Sequence, residues 1–199
     1  FGFFSLFNGD ALKSVELTKG GFPARYGGRL SSVIELNMKD GNKEELHGEG
    51  GVGILSSRLM LEGPLVKGKS SFLVSGRRTY ADVLARPFFK DDERPGYYFY
   101  DLNTKLNYDF GRKNKLYLSG YFGEDRFSFE ERDGNEVNKA GFNWGNATGT
   151  LRWNHLFNEK LFANTSLIFS RYKFNIFTEE KSDDDDYSLR YSSGIRDIG

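Results

Sequence analysis

The sequence predicts an all-β chain of antiparallel strands, each with one apolar face and one wet face. Two compositional facts and one pattern carry that expectation. Glycine makes up 24 of 199 residues, about 12% against a usual ~7%. Aromatic residues reach 16%, yet the mean hydropathy is −0.58, too polar for an ordinary core that must hold 19 Phe and 11 Tyr. Rings in a polar, glycine-rich chain fit an antiparallel sheet, or a barrel with a polar interior. The pattern is period-two alternation, which puts successive side chains on opposite faces. No amphipathic helix is evident.

The first element is a glycine-rich turn between two short strands, within LTKGGFPARYGGRLSSVIELNMKDGN from Leu17 to Asn42. Gly20–Gly21 and Gly27–Gly28 supply backbone freedom for tight turns, and Pro23 stiffens the tip. Leu30, Ile34, Leu36 and Met38 then alternate with Ser31, Val33, Glu35 and Asn37. LHGEGGVGI sets Leu46, Val52 and Ile54 against His47 and Glu49; SRLMLEG sets Leu59 and Leu61 against Arg58 and Glu62. SSFLVSGRR sets Phe72 and Val74 against Ser71, Ser75 and Arg77. In YYFYDLNTKLNYDF, Tyr98, Tyr100, Leu102, Leu106 and Tyr108 oppose Asp101, Asn103, Lys105 and Asn107. KLYLSGYF, NATGTLRWN and KLFANTSLIFS repeat the pattern, and the last strand, about Tyr187 to Ile198, alternates less well.

The connections are sorted by length. Those at PLVKGKS, GRKN and FNEK are short; Arg78–Gly96 and Glu124–Asn143 read as long charged loops, and Glu179–Asp186 as an acidic tract of intermediate length. The first hairpin, with only Leu55 to Ser57 available, is the exception. Alternating short and long links are expected of an up-and-down sheet that crosses a membrane. Runs of about 9 to 13 residues exceed the globular mode of about 5–6 and fit tilted strands spanning a bilayer. Rings gather near strand ends (Tyr98, Tyr100, Tyr108, Phe110, Trp153, Phe157, Phe162) in the manner of interfacial girdles. About eight strands follow residue 43. An eight-stranded barrel has room only for its own side chains. If residues 1–42 lie inside a barrel, that barrel is much larger and this chain is part of it.

The run GDALKSVELTKGGFPARYGGRLSSVIELNMKDGN, followed by GEGGVGILSSRLMLEGPL, resembles TonB-dependent outer-membrane transporters, in particular the large receptors of Bacteroidetes-type bacteria. In that family a plug domain sits in a barrel of roughly twenty-two strands. The plug ends in the pattern (V/I)E(V/I)xxG…xRYG…GG(V/I)I(N/D)(I/V)xxK. Val15, Glu16, Gly20, Arg25, Tyr26, Gly27, Gly28, Val33, Ile34, Leu36 and Lys39 match it. Arg29 to Ser32 fall between the glycine pair and Val33, a departure in spacing. The resemblance implies that residues 1–42 complete the plug and residues 43–199 form the N-terminal strands of a transmembrane β-barrel in the bacterial outer membrane. The TonB-binding segment would precede Phe1, and the other strands would follow Gly199. The implied activity is import of a substrate (siderophore, glycan, peptide or similar), gated when TonB pulls on the plug. Implied partners are outer-membrane lipid, lipopolysaccharide and TonB, with a surface lipoprotein as a further candidate. Enzymatic activity, a cofactor and a nucleic-acid partner are not expected.

The resemblance also suggests site residues. Arg25 and Arg29, with Tyr26, Gly27 and Gly28, are candidates to hold plug to barrel wall, Glu49 and Glu62 being possible carboxylate partners for the planar guanidinium fork. Direct ligand contact is the alternative. Phe22, Arg77, Arg78 and Tyr80 are candidates for a ligand path; the alternative is that the Arg77–Tyr80 group fixes loop geometry or meets lipopolysaccharide phosphates. Asp183–Asp186 could attract a divalent cation, but no EF-hand spacing surrounds it and a solvated loop suffices. His47 and His155 lack metal-spacing partners. With no cysteine there is no disulfide or thiolate site, and charges balanced at 28 each give no signal for or against nucleic acid. GEGGVG at Gly48–Gly53 sits in a strand pattern with no helix after it, so it is not a nucleotide loop. Two other readings stay open: a non-transporting barrel subunit or scaffold of a larger outer-membrane complex, and a soluble β-sandwich or lectin-like domain that folds without detergent.

Overall fold

The computed structural model describes residues 9, 11–21, 32–89, 92–182 and 185–199. Strands β1 (Leu12–Lys19) and β2 (Ser32–Met38) form a two-stranded antiparallel sheet, with Leu17 opposite Ile34. Eight more strands follow: β3 (His47–Val52), β4 (Ser56–Val66), β5 (Ser70–Thr79), β6 (Glu93–Asp109), β7 (Asn114–Asp133), β8 (Glu136–Asn158), β9 (Leu161–Lys181) and β10 (Asp186–Ile198). They form one antiparallel meander in which each strand pairs only with its neighbours in sequence. The chain is all-β apart from a short helix α1 (Ala81–Ala85) and a 3-10 turn (Arg86–Phe88) between β5 and β6. The sheet is open, because among the described residues β3 and β10 each have a single partner strand. Reversals use glycines at positive φ, notably Gly68 (71°), Gly111 (82°) and Gly134 (58°).

Two stretches expected as loops are strand instead. Residues 124–143 form the outer part of the β7–β8 hairpin, which turns only at Gly134–Asn135, with Asp133 opposite Glu136. The ends of the acidic tract likewise belong to β9 and β10, which stop and restart at Lys181 and Asp186; Asp183 and Asp184 lie outside the described residues. The Arg78–Gly96 link narrows to residues 80–92. The physical reason is that a ladder is held by backbone hydrogen bonds, which need no side-chain alternation. Beyond the apolar rows rings and charges stand on both faces, so period two disappears from the sequence while the strand continues. β8 has 23 residues, about 75 Å at ~3.4 Å per residue. The outer hairpin is reinforced by stacked rings, Phe127 on Phe142 (5.1 Å) and Phe142 on Trp144 (5.5 Å). It also carries a hydrogen bond from Arg132 to Glu130 (2.8 Å), which holds that carboxyl below its usual range.

Directly paired residues share a face, so the register defines two surfaces. One row of the first surface runs Phe72–Leu106–Leu118–Leu151–Leu167; the next runs Leu59–Gly76–Leu102–Phe122–Ala147. The opposite surface carries Ser71, Ser75, Arg77, Asp101, Asn103, Lys105 and Asn107, then Tyr117, Tyr121, Thr148 and Arg152. Burial is the reverse of that in a water-soluble domain. Leu102 and Leu151 are 43% and 41% exposed, whereas Asp101 and Asn103 are 5% and 6% exposed. Few apolar side chains are buried among the described residues. Three of them, Ala11, Met60 and Leu73, cluster with Met38 where the β1–β2 hairpin rests on the polar surface of β4 and β5. Lys39 N–H donates to the Ala11 carbonyl and closes the base of that hairpin. At Gly41 the chain passes so close to Phe72 that a Cβ would overlap its carbonyl oxygen, so only glycine fits there.

Candidate functional site: the polar surface and the hairpin against it

Strand β6 builds the site. Its odd-numbered residues Asp101, Asn103, Lys105, Asn107 and Asp109 all point to the polar surface, because a strand repeats every two residues. Register places Asp101 opposite Arg77 of β5. The Arg77 Nη2 and Nε groups lie 2.6 and 2.8 Å from Asp101 Oδ2. Asn103 Nδ2 donates to the other oxygen at 3.3 Å. The guanidinium also lies over the Phe99 ring, 4.8 Å from its centroid. Beside it, buried Thr79 accepts from the Phe99 N–H (2.9 Å). Asn107 and Ser71 exchange two further bonds: Asn107 Nδ2 donates to Ser71 Oγ (2.6 Å) and Ser71 N–H donates to Asn107 Oδ1 (3.2 Å). These groups satisfy one another, which buried polar groups require.

Lower on the same stripe the contacts are to the hairpin. Lys105 Nζ donates to the Met38 carbonyl (2.9 Å) and pairs with Asp40 Oδ1 (2.7 Å). Lys43 Nζ pairs with Asp109 Oδ2 (2.5 Å). Between the hairpin and the wall lies a cavity of about 740 Å³. Leu12, Asn37 and Asp40 line it on the hairpin side; Asn103, Tyr121, Thr148, Thr150 and Arg152 line it on the wall side. Its surface offers donors, acceptors and hydroxyls to water or a polar solute. Replacing Lys105 by methionine should loosen the hairpin. Amide exchange in β1 and β2 of the full-length protein should rise roughly tenfold, as loss of one charge-assisted contact worth ~1.5 kcal/mol would give. Exchange in β6 and β7 should stay unchanged.

The residues singled out from sequence fall in different places. Phe22, Arg25, Tyr26, Gly27, Gly28 and Arg29 lie outside the described residues. Glu49 accepts from Arg58 of the neighbouring strand (3.3 Å). Glu62 sits opposite Leu73 and His47, half-buried on the polar surface. Arg77 is held in the pair with Asp101. Arg78, one residue on, points to the opposite, apolar surface and lies over the Tyr98 ring at 5.7 Å. Tyr80 precedes α1; its hydroxyl donates to the Gly53 carbonyl and its N–H to that of Leu55 (3.1 Å), tying the helix to the β3–β4 turn. Sequence reasoning missed Lys105, Asp40, Lys43 and Asp109 as a group. The lone lysine in the Asp-Asn-Lys-Asn-Asp stripe of β6 was the one available hint, since a cation there calls for a partner from elsewhere in the chain. Among the described residues no cluster of His, Cys, Asp or Glu could hold a metal ion. No family model, no curated protein and no solved structure matches this chain.

Proposed function

We propose that this chain is part of a TonB-dependent outer-membrane transporter. Residues 1–42 end its plug, and the eight-stranded meander is a section of its transmembrane barrel wall. One observation carries the reading: the apolar surface of the meander is open, while the polar surface of β5 and β6, beside the hairpin, is buried and internally bonded. Hydrocarbon favours the first arrangement and a filled wet lumen the second. A soluble sandwich would bury Leu102, Leu106, Leu151 and Trp153 against a second sheet; here they are 38–43% exposed.

Ring positions support the same reading. Along β6, Tyr98 and Tyr100 stack at one end of the apolar surface, and at the other Tyr108 packs on Phe110 just past the strand. Tyr100 to Tyr108 spans about 27 Å along the strand, or about 20 Å across a membrane at a tilt of ~40°, near the ~25 Å of an apolar band. At the short-turn end Asn114 Oδ1 accepts from Trp153 Nε1 (3.2 Å) and lies 2.6 Å from His155 Nδ1, and His155 packs edge-on against Phe157 (4.3 Å). No helix among the described residues is long and apolar enough to cross a membrane; in this reading the strands cross.

The mechanism is gated import of a polar solute such as a siderophore, glycan or peptide. The hairpin meets the wall through a small apolar cluster and the Lys105–Asp40 ion pair, and Lys43–Asp109 pins the chain just after it. Both pairs are partly exposed and open to competition by water, so a pull on the plug can break them without unfolding the wall. The test is deletion of the TonB-binding segment from the full-length protein, with spent medium compared between strains. The deletion strain should leave in the medium a solute that the parent removes, while its barrel still inserts. Identical media with normal insertion would instead support a non-transporting scaffold.

A further inference from the structure

The two surfaces of the meander exchange character beyond Tyr100. One row further on, the surface that held the leucines carries Tyr98, Arg126, Asn143, Asn175 and Ser192. The surface that held Asp101 and the cavity turns aromatic. Register aligns Tyr97, Phe127, Phe142, Ile176 and Tyr191 in one row of it, and Phe99, Asp125, Trp144 and Phe174 in the row beside. The ring stack Phe127–Phe142–Trp144 belongs to this patch. Phe127, Ile176 and Tyr191 are 42%, 46% and 62% exposed, so the patch is open. Charge is sorted in the same way. Beyond the Arg77–Asp101 row this surface carries the carboxylates of Asp125, Glu131, Asp133, Glu136 and Glu180. No lysine or arginine of β6 to β10 stands there among the described residues; Arg94, Arg126, Arg132, Lys139, Lys173 and Arg190 are all on the other side. Asp125 sits among the rings and accepts a hydrogen bond from the Trp144 indole. Burial raises its carboxyl above the usual range, and Arg77, already paired with Asp101, offsets this only in part.

We infer that this patch seats a cationic peptide, its apolar side chains on the rings and its basic groups toward Asp125 and the carboxylates near the hairpin tip. The inference rests on the transporter reading and narrows its solute. Complementary charge selects the occupant. An anionic solute would be repelled, and a neutral glycan would gain nothing from the carboxylates. Cations also favour ring faces, which suits a basic solute on an aromatic patch. Asp125 and Glu131 stand three rows apart on β7, about 20 Å, with Phe127 and Phe129 between them. A small amine cannot reach both carboxylates, whereas an extended peptide of about six residues can, and its alternating side chains match the row spacing.

The experiment measures, by calorimetry, binding of synthetic octapeptides to the full-length protein in neutral detergent. One alternates lysine with leucine, a second glutamate with leucine, a third lysine with serine. The parent should bind the first at least about tenfold more tightly than the other two. Asp125→Asn, which still accepts from the Trp144 indole, should weaken it about tenfold. Phe127→Ser, at an exposed ring that leaves the ladder intact, should weaken it as well, and Asp125→Lys should shift preference toward the glutamate peptide. Equal binding of the lysine–leucine and glutamate–leucine peptides by the parent overturns the proposal, and so does full-strength binding by both Asp125→Asn and Phe127→Ser. The deletion test of the TonB-binding segment separates the two levels. A parent that depletes some other solute through that segment, yet binds no cationic peptide, removes only the peptide. Peptide binding as expected, with identical media for parent and deletion strains, keeps the docking surface and removes transport.

Discussion

Replacing Arg77 by methionine should destabilise the folded protein by about 3–5 kcal/mol, because it strands a buried carboxylate. The Arg77 and Asp101 side chains are only 14% and 3% exposed. The hydrogen bond from Asn103, at 3.3 Å, is too weak to replace the guanidinium. The same change also removes the guanidinium from the Phe99 ring. Denaturant unfolding of the full-length protein, followed by tryptophan emission, measures the loss. The double variant Arg77→Met/Asp101→Leu should recover most of it, since an apolar pair of similar volume avoids the desolvation cost. A loss below ~1 kcal/mol for the single variant would mean that water reaches Asp101 and that the pair does not hold β5 to β6.

Introducing a charge on the open surface should also be costly. Leu151→Arg is expected to destabilise the protein by about 2 kcal/mol in a bilayer, since the cost of arginine is greatest at the midplane and falls toward the interface. Leu151 sits in the row Leu118–Leu151–Leu167, one row in from Trp153. Thr150, its neighbour in the strand, lines the cavity on the other surface. Thr150→Arg should therefore cost under ~1 kcal/mol. Refolding into vesicles at increasing urea compares the two. Equal costs would show that the two surfaces meet the same environment.

The sequence revealed the strands where one face is apolar and the other polar. Leu102 shares a face with Leu106, and Leu151 with Trp153, because alternation within a strand alone fixes it. It concealed the outer halves of β7, β8 and β9, where charges and rings occupy both faces and only the backbone ladder continues. Helix α1 was equally hidden. Five residues are too few to nucleate a helix alone, and Tyr80 anchors this one through the β3–β4 turn. The site was half legible. Arg77 stood out as polar, but its partner lies 24 residues on and emerges only from the register. Arg78 looked equivalent, yet a strand sends adjacent residues to opposite sides. Lys105 and Asp40 meet only because the hairpin folds back over β6, which no local pattern encodes.

The most direct measurement uses the fact that this chain contributes no cysteine of its own. Single cysteines at Leu102, Leu106 and Leu151, and at Thr148, Thr150 and Arg152, would be placed in the full-length protein in bilayers. Each would be read by a water-soluble maleimide and by a lipid-borne quencher of an attached fluorophore. The leucine positions should be quenched and resist the maleimide, while the other three should react with maleimide and escape quenching. Maleimide labelling of the leucine positions at the same rate as Thr148 and Thr150, with no quenching, would contradict a membrane-facing wall.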